Sequence, residues 1–207
     1  GRHMDQQPGD GAMIACVGDA DTIRSVADRF ASVAVAAVNT PRHLVLSGSA
    51  GEIEAAREAL EACSTAVRPL RVSHAFHSKL MAGAVAPVRE AARRIEFATP
   101  ALPWISDATG RLAGKVDADA WVEHMLGTVH FAEGFEAARG LGCDAFVEIG
   151  PHPTLLSFGR EMTPAGELDG TLWLPSLRRG ATEPWEPLLR SLIAFDKLAK
   201  ATNESGS

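Results

Sequence analysis

The sequence predicts an α/β chain: a small ferredoxin-like unit (βαββαβ), followed by part of a larger domain with a parallel sheet. Three features predict it. Residues 11–72 alternate apolar runs and helical patterns in the order strand, helix, strand, strand, helix, strand. Farther on, a helical pattern leads into the buried run Asp144–Ile149, which ends in Gly150-Pro151-His152-Pro153 before another helical pattern. Residues 73–180 also hold too few strands to close a parallel sheet by themselves.

The elements follow in order. Gly11–Val17 is an apolar run between turn signals and reads as a strand. Asp19-Ala20-Asp21 offers N-caps to a helix with Ile23, Val26, Ala27 and Phe30 on one side. Val33–Val38 and His43–Ser47 form a hairpin about the turn Asn39-Thr40-Pro41-Arg42. Ser49 and Glu52 fit a capping box for a helix whose apolar side is Ile53, Ala56, Ala59 and Leu60. Val67–Val72 is the fourth strand. A helix then spans Lys79–Ile95, with Pro87 interrupting or kinking it. Pro103–Ser106 is a strand closed by Asp107-Ala108-Thr109-Gly110. Asp119 caps a helix carrying Trp121, Val122 and Met125, and Phe131–Arg139 is another helix. Leu172–Pro175 is a last short strand. Pro184–Lys200 reads as an amphipathic helix or linker, and Thr202–Ser207 as a disordered tail.

Composition narrows the function classes. Of 207 residues, 46% are hydrophobic and 22% charged, which is ordinary for a globular chain. A net charge of -6 argues against nucleic acid or an anionic membrane as the main partner. No apolar run reaches the roughly 20 residues that span a bilayer. Cys16, Cys63 and Cys143 lack CxxC spacing and read as small buried hydrophobes of a reducing, cytoplasmic compartment.

The chemistry concentrates in Ser73-His74-Ala75-Phe76-His77-Ser78, just past the fourth strand. Two imidazoles flank one aromatic, with a hydroxyl at each end. Histidine alone changes charge near neutrality without a perturbed environment, so one held at a strand end and reaching into a cleft suits a general base. The alternative is a pair of polar residues ending a strand. A zinc site at His74 and His77 lacks a third ligand at fitting spacing.

Six ordered landmarks then resemble the acyltransferase domain of modular type I polyketide synthases and, more distantly, the malonyl-CoA:acyl carrier protein transacylases. They are Gly11-Ala12-Met13; Asn39-Thr40-Pro41 with Leu44-Val45-Leu46-Ser47-Gly48; and His74-Ala75-Phe76-His77-Ser78. The other three are Trp121 to Phe131, Glu148-Ile149-Gly150-Pro151-His152-Pro153, and Leu174-Pro175-Ser176-Leu177-Arg178-Arg179. Together they cover nearly all of residues 1–180. The resemblance implies a small ferredoxin-like subdomain at 11–72 and the C-terminal portion of an α/β-hydrolase-like large subdomain at 73–180. It makes residues 1–10 the end of a large-subdomain helix or linker, and 181–207 a post-acyltransferase linker and tail.

It also implies a ping-pong reaction. A serine takes the acyl group from coenzyme A and passes it to the phosphopantetheine thiol of an acyl carrier protein, with a histidine as base and acid. His77 matches that histidine. His74, Ala75 and Phe76 complete a substrate-selecting tetrapeptide of the malonyl-selective kind, where methylmalonyl-selective members have Tyr-Ala-Ser-His. Phe76 in place of a small serine removes room for an α-methyl branch, although plain core packing would also account for it. Asn39 matches an asparagine near the acyl site and equally suits a turn. His124 stands where the family has an asparagine or glutamine whose backbone carbonyl orients the catalytic imidazole; a backbone role tolerates the change of side chain. His152 matches a family turn and suits a packing or surface position as well. No cofactor is implied beyond the substrates malonyl-CoA and phosphopantetheinyl acyl carrier protein. The implied partners are that carrier, the ketosynthase domain of the same synthase and the N-terminal half of the acyltransferase.

That half enters because the family's Gly-His-Ser-x-Gly elbow does not occur in the 207 residues. Ser47-Gly48-Ser49-Ala50-Gly51 lacks the first glycine and matches a strand end in the small subdomain. The oxyanion-hole residues are missing with the elbow. Gly1-Arg2-His3-Met4 fits the residues just after the family's carboxylate-binding arginine. This predicts a C-terminal piece of a nicked or divided domain that is inactive alone and exposes apolar sheet surface. The rival readings are a non-catalytic module that docks a carrier protein and a scaffold between synthase domains.

Overall fold

The computed structural model describes residues 1–7, 9–183 and 185–205, and the chain divides into two compact units, Gly1–Ala137 and Ala138–Ser207. In the first unit a short helix α1 (Arg2–Asp5) precedes β1 (Gly11–Val17), α2 (Ala20–Ala27), β2 (Ala34–Thr40), β3 (His43–Ser49), α3 (Ala50–Ala62) and β4 (Ala66–Pro69). The strands form one antiparallel sheet in the order β2-β3-β1-β4, the ferredoxin-like arrangement. Register pairs Ile14 with Leu46 and Cys16 with Leu44, so these four share one face; Met13 and Val45 take the other. Helices α2 and α3 pack on the sheet and bury Ile23, Val26, Ile53, Ala56 and Leu60. On the second face Met13, Ala36 and Val45 form a buried cluster, against which Leu70 and Phe76 pack.

Several local expectations shift. Asn39 and Thr40 belong to β2, which leaves Pro41-Arg42 as a two-residue turn. Ser49 is the N-cap of α3 but makes no side-chain cap; Glu52 instead accepts the backbone N–H (2.7 Å) and hydroxyl (2.6 Å) of Ser32. The capping box loses because a partner across the fold satisfies the carboxylate. Strand β4 stops at Pro69: Leu70 still bonds β1, but Val72 N–H then bonds Leu70 O (3.1 Å) and turns the chain off the ladder. The 79–95 helix is two: a 3-10 helix, Lys79–Ala84, and α4 (Val85–Arg93). Pro87 sits in the first turn of α4, where its missing N–H is not needed, so the break falls before it.

The unit continues with a minimal hairpin, β5 (Ile105–Ser106) and β6 (Arg111–Leu112), then α5 (Ala118–Leu126) and α6 (Phe131–Gly140). The cap of α5 is Asp117, whose carboxylate accepts the N–H groups of Asp119 and Ala120; Asp119 lies in the first turn and pairs with Arg89. In the second unit β7 (Ala145–Glu148) and β8 (Leu172–Pro175) pair in parallel, with α7 (Thr154–Met162) between them. Glu148 accepts the N–H groups of Thr154 and Leu156 at the start of α7. Val147 in β7 and Ile149 just past it stand 57% and 90% exposed. Helix α8 (Glu186–Ser205) is helical through Thr202–Ser205, read above as tail; the helix-forming run Lys197–Ala201 carries it on. Pro184, Gly206 and Ser207 lie outside the described residues. Cys63 and Cys143 are exposed and only Cys16 is buried: Cys63 is the C-cap of α3 and Cys143 lies in the connection between α6 and β7, whereas Cys16 is on the inner face of β1. No helix among the described residues is long and apolar enough to cross a membrane.

Candidate active site

Past β4 the chain returns over the second face of the sheet. Leu70 donates its N–H to Met13 O (2.9 Å), and Ala75 is buried against Gly11. A β-carbon at Gly11 would stand 2.4 Å from Ala75 N, so only glycine admits the chain there. The N–H of Phe76 bonds His74 O (3.0 Å), and His77 then adopts φ +58°, the left-handed region that costs an L-residue about 1–2 kcal/mol. Such strain persists only where surroundings impose it, and it marks functional loops. Ser78 closes the turn: its hydroxyl donates to Ala75 O (2.7 Å) and accepts Leu80 N–H (3.2 Å), capping the 3-10 helix.

The His77 imidazole lies between two main-chain carbonyls. Its Nδ1 is 3.1 Å from His124 O and 3.0 Å from Gly127 O. Both oxygens can only accept, so Nδ1 carries the proton and Nε2 keeps its lone pair. Both carbonyls come from the C-terminal end of α5, where a helix leaves carbonyls without internal partners. Gly127 turns the chain there; a β-carbon would meet Glu123 O at 2.9 Å. Burial holds the His77 pKa below the ordinary imidazole value, more than the Gly127 carbonyl raises it; the neighbouring His124 ring lowers it further. The ring is therefore neutral near pH 7. The carbonyl pair and the negative end of the helix dipole would steady the imidazolium formed when Nε2 takes a proton.

The His124 ring meets His77 edge-on, centroids 5.7 Å apart, and packs on Trp121 at 6.2 Å. Its Nδ1–H donates to Asp107 Oδ1 (2.8 Å). A cavity of about 410 Å³ opens beside this pair, lined in part by Trp104, Ser106 and Trp121. The segment beyond α5 is pinned to β2: Val38 N–H donates to Val129 O and Val129 N–H to Ala36 O, both 2.8 Å, and the Thr128 hydroxyl donates to Val35 O (2.7 Å).

The residues singled out from sequence thus separate into groups. His74, Ala75, Phe76, His77 and His124 come together. His74 is buried: its Nε2–H donates to Gln7 O (3.0 Å) and its Nδ1 accepts from Ser73 Oγ (2.8 Å). Both nitrogens are occupied, which leaves no lone pair for a metal. Among the described residues no group of three or more His, Cys, Asp or Glu side chains is placed to hold one. Phe76 is half-buried, its ring 5.8 Å from that of His74. Asn39 instead donates its amide to His43 Nδ1 (3.0 Å) at the turn end of the β2–β3 hairpin. His152 is exposed in its turn. Sequence reasoning missed the Gly127 carbonyl and Asp107. Gly127 follows the helix directly, the usual place for a terminating glycine, and that signal was available; Asp107 looks like any turn aspartate.

A neutral imidazole with a fixed tautomer and a lone pair kept on Nε2 is suited to activating a hydroxyl for acyl transfer. Residues 1–199 match the acyl transferase domain family, and the chain belongs to it. Its relatives are polyketide synthases. It is 33% identical over 200 residues to the spectinabilin polyketide synthase system protein NorB of Streptomyces orinoci, covering 94% of this chain and 9% of that one. It is 36% identical over 166 residues to mycoketide-CoA synthase of Mycobacterium tuberculosis, covering 79% of this chain and 4% of the relative. Among solved structures, the acyltransferase domain from the second module of the salinomycin polyketide synthase superposes with a TM-score of 0.86 at 36% identity. That match covers 93% of this chain and 45% of the other. The malonyl CoA-acyl carrier protein transacylase from Clostridium perfringens superposes at 0.85 with 19% identity, over 98% of this chain and 63% of that one, which shows the shared fold. The chain therefore spans about half the length of the salinomycin domain and a small fraction of the synthases.

Proposed function

We propose that this chain supplies the histidine half of a polyketide synthase acyltransferase that moves a malonyl unit from coenzyme A to the phosphopantetheine of an acyl carrier protein. The observation that carries this is the His77 imidazole, held at Nδ1 by the His124 and Gly127 carbonyls with Nε2 left as a base. The carbonyls do for His77 what a carboxylate does for a triad histidine: they fix the tautomer and the ring. A serine hydroxyl on another stretch of polypeptide loses its proton to Nε2 as its oxygen attacks the thioester. The imidazolium returns that proton to the departing thiolate. The carrier thiol then reverses the sequence. His74, Ala75 and Phe76 form the acyl-site wall, with Phe76 taking the space an α-methyl branch would need.

In this reading residues 11–72 are the ferredoxin-like small subdomain and 73–180 the C-terminal part of the large one. Residues 181–207 form the linker toward a neighbouring domain, and the ketosynthase and carrier are the partners. The exposed Val147 and Ile149 suit an apolar surface that the serine-bearing half covers. Alone the chain is inactive.

The test combines this chain with a polypeptide carrying the Gly-His-Ser-x-Gly elbow and malonyl-CoA. Acyl-serine should form and pass to holo carrier protein, and neither polypeptide should do so alone. Carrier binding with no acyl-serine under any condition would leave the docking module as the better reading.

A further inference from the structure

The geometry points to Asp107 as a positioning residue that sets the carbonyl clamp on His77. This deepens the transferase reading and rests on it. Asp107 touches the clamp segment at both ends. Its carboxylate accepts the His124 ring Nδ1–H at 2.8 Å, and its main-chain oxygen accepts His130 N–H at 2.6 Å. Between these points lie the two carbonyls, of His124 and Gly127, that hold His77.

The chain reaches this position in a defined way. Asp107 leaves β5 at the hairpin turn, where Gly110 takes φ +65° and donates its N–H to Ser106 O (2.7 Å). Gly110 packs on α6, where a β-carbon would stand 2.4 Å from Glu133 Cβ. The turn is thus tied to α6 on one side and to the clamp on the other. β2 already fixes Thr128 and Val129. What β2 does not reach is the last turn of α5, which is held by buried Val122 and Met125 and, through the His124 ring, by Asp107. With that ring tethered to Asp107 and set edge-on to His77, the 124 carbonyl has one direction. Without the tether, the ring and the last turn gain freedom, and one of the two acceptors on Nδ1 is lost part of the time.

Because the proposal concerns a tautomer, it can be read on this chain with no transferase activity. Imidazole nitrogen shifts of His77 are recorded by NMR for wild type, Asp107→Ala, Asp107→Asn, His124→Ala and Asp107→Ala/His124→Ala. Asp107 is half exposed and outside the core, and amide fingerprints confirm that each variant is folded. Wild-type His77 should show a protonated Nδ1. Asp107→Ala should lower the ratio of Nδ1–H to Nε2–H tautomer by about two- to fivefold, up to the equilibrium effect of losing one hydrogen bond outright. Asp107→Asn keeps an acceptor oxygen and should restore it. Asp107→Ala should add nothing once His124 is alanine. An unchanged tautomer ratio in Asp107→Ala, equal effects of Ala and Asn, or a full effect in the His124→Ala background would each overturn the role. In the assembled transferase the same variants should lower kcat with KM held. A normal clamp by NMR without acyl transfer would instead contradict the transferase reading and leave Asp107's role standing.

Discussion

Replacing Phe76 by alanine separates packing from selectivity. The ring lies against Met13, Ala36 and Val45, with Leu70 and Ala37 beside them, so its loss opens a gap on the second face of the sheet. A fully buried phenylalanine costs about 3–5 kcal/mol when cut to alanine; Phe76 is half-buried, so about 1.5–2.5 kcal/mol is expected. Urea denaturation of this chain reads that directly, as a lower midpoint at unchanged slope. Selectivity is a second, independent number. One methyl group against a pocket wall is worth about 1–3 kcal/mol, so the preference for malonyl over methylmalonyl thioester should fall by roughly 10- to 100-fold. Competition between the two coenzyme A thioesters for the assembled domain, read by mass of the acyl-serine, measures it. A stability loss of the expected size with the malonyl preference intact would refute the selectivity role and leave Phe76 as core alone.

Three further outcomes follow from other parts of the structure. Gly11→Ala forces a β-carbon into the Ala75 backbone and should destabilise the chain by about 1–3 kcal/mol, seen in the same denaturation experiment; an unchanged midpoint would mean the close approach is absent. Folding lowers the His77 pKa, so the unfolded chain takes up the proton first as pH falls. The associated stability is complete above about pH 6.5, the unfolded imidazole value, and is lost as pH drops through the folded value. His77→Gln should flatten that part of the stability–pH curve. Ser64 adopts φ +60° where α3 ends, and Ser64→Gly should raise stability by about 0.5–1 kcal/mol, strain relief less the entropy of glycine.

Much of this was legible in the residues. The βαββαβ order followed from apolar periodicity, and β1 and β8 begin and end where their turn signals place them. The His74–His77 constellation stood out by composition. What eluded sequence were choices made by distant partners. Glu52 fits a local capping box, yet Ser32, twenty residues upstream, takes its carboxylate. Asp119 reads as the cap of α5, yet Asp117 caps it, and Asp119 lies in the first turn and pairs with Arg89. The His77 clamp is built from carbonyls, which every residue has: Gly127 is marked as a helix-ending glycine but not as a clamp, and nothing sets the Asp107 turn apart from any other.

The most direct measurement is the rate of acyl-serine formation with His77→Gln in the assembled domain. A general base contributes about 10²–10⁴-fold, so the rate should fall by that factor while malonyl-CoA still binds. Acylation within a few-fold of wild type would contradict the assignment of Nε2 of His77 as the base.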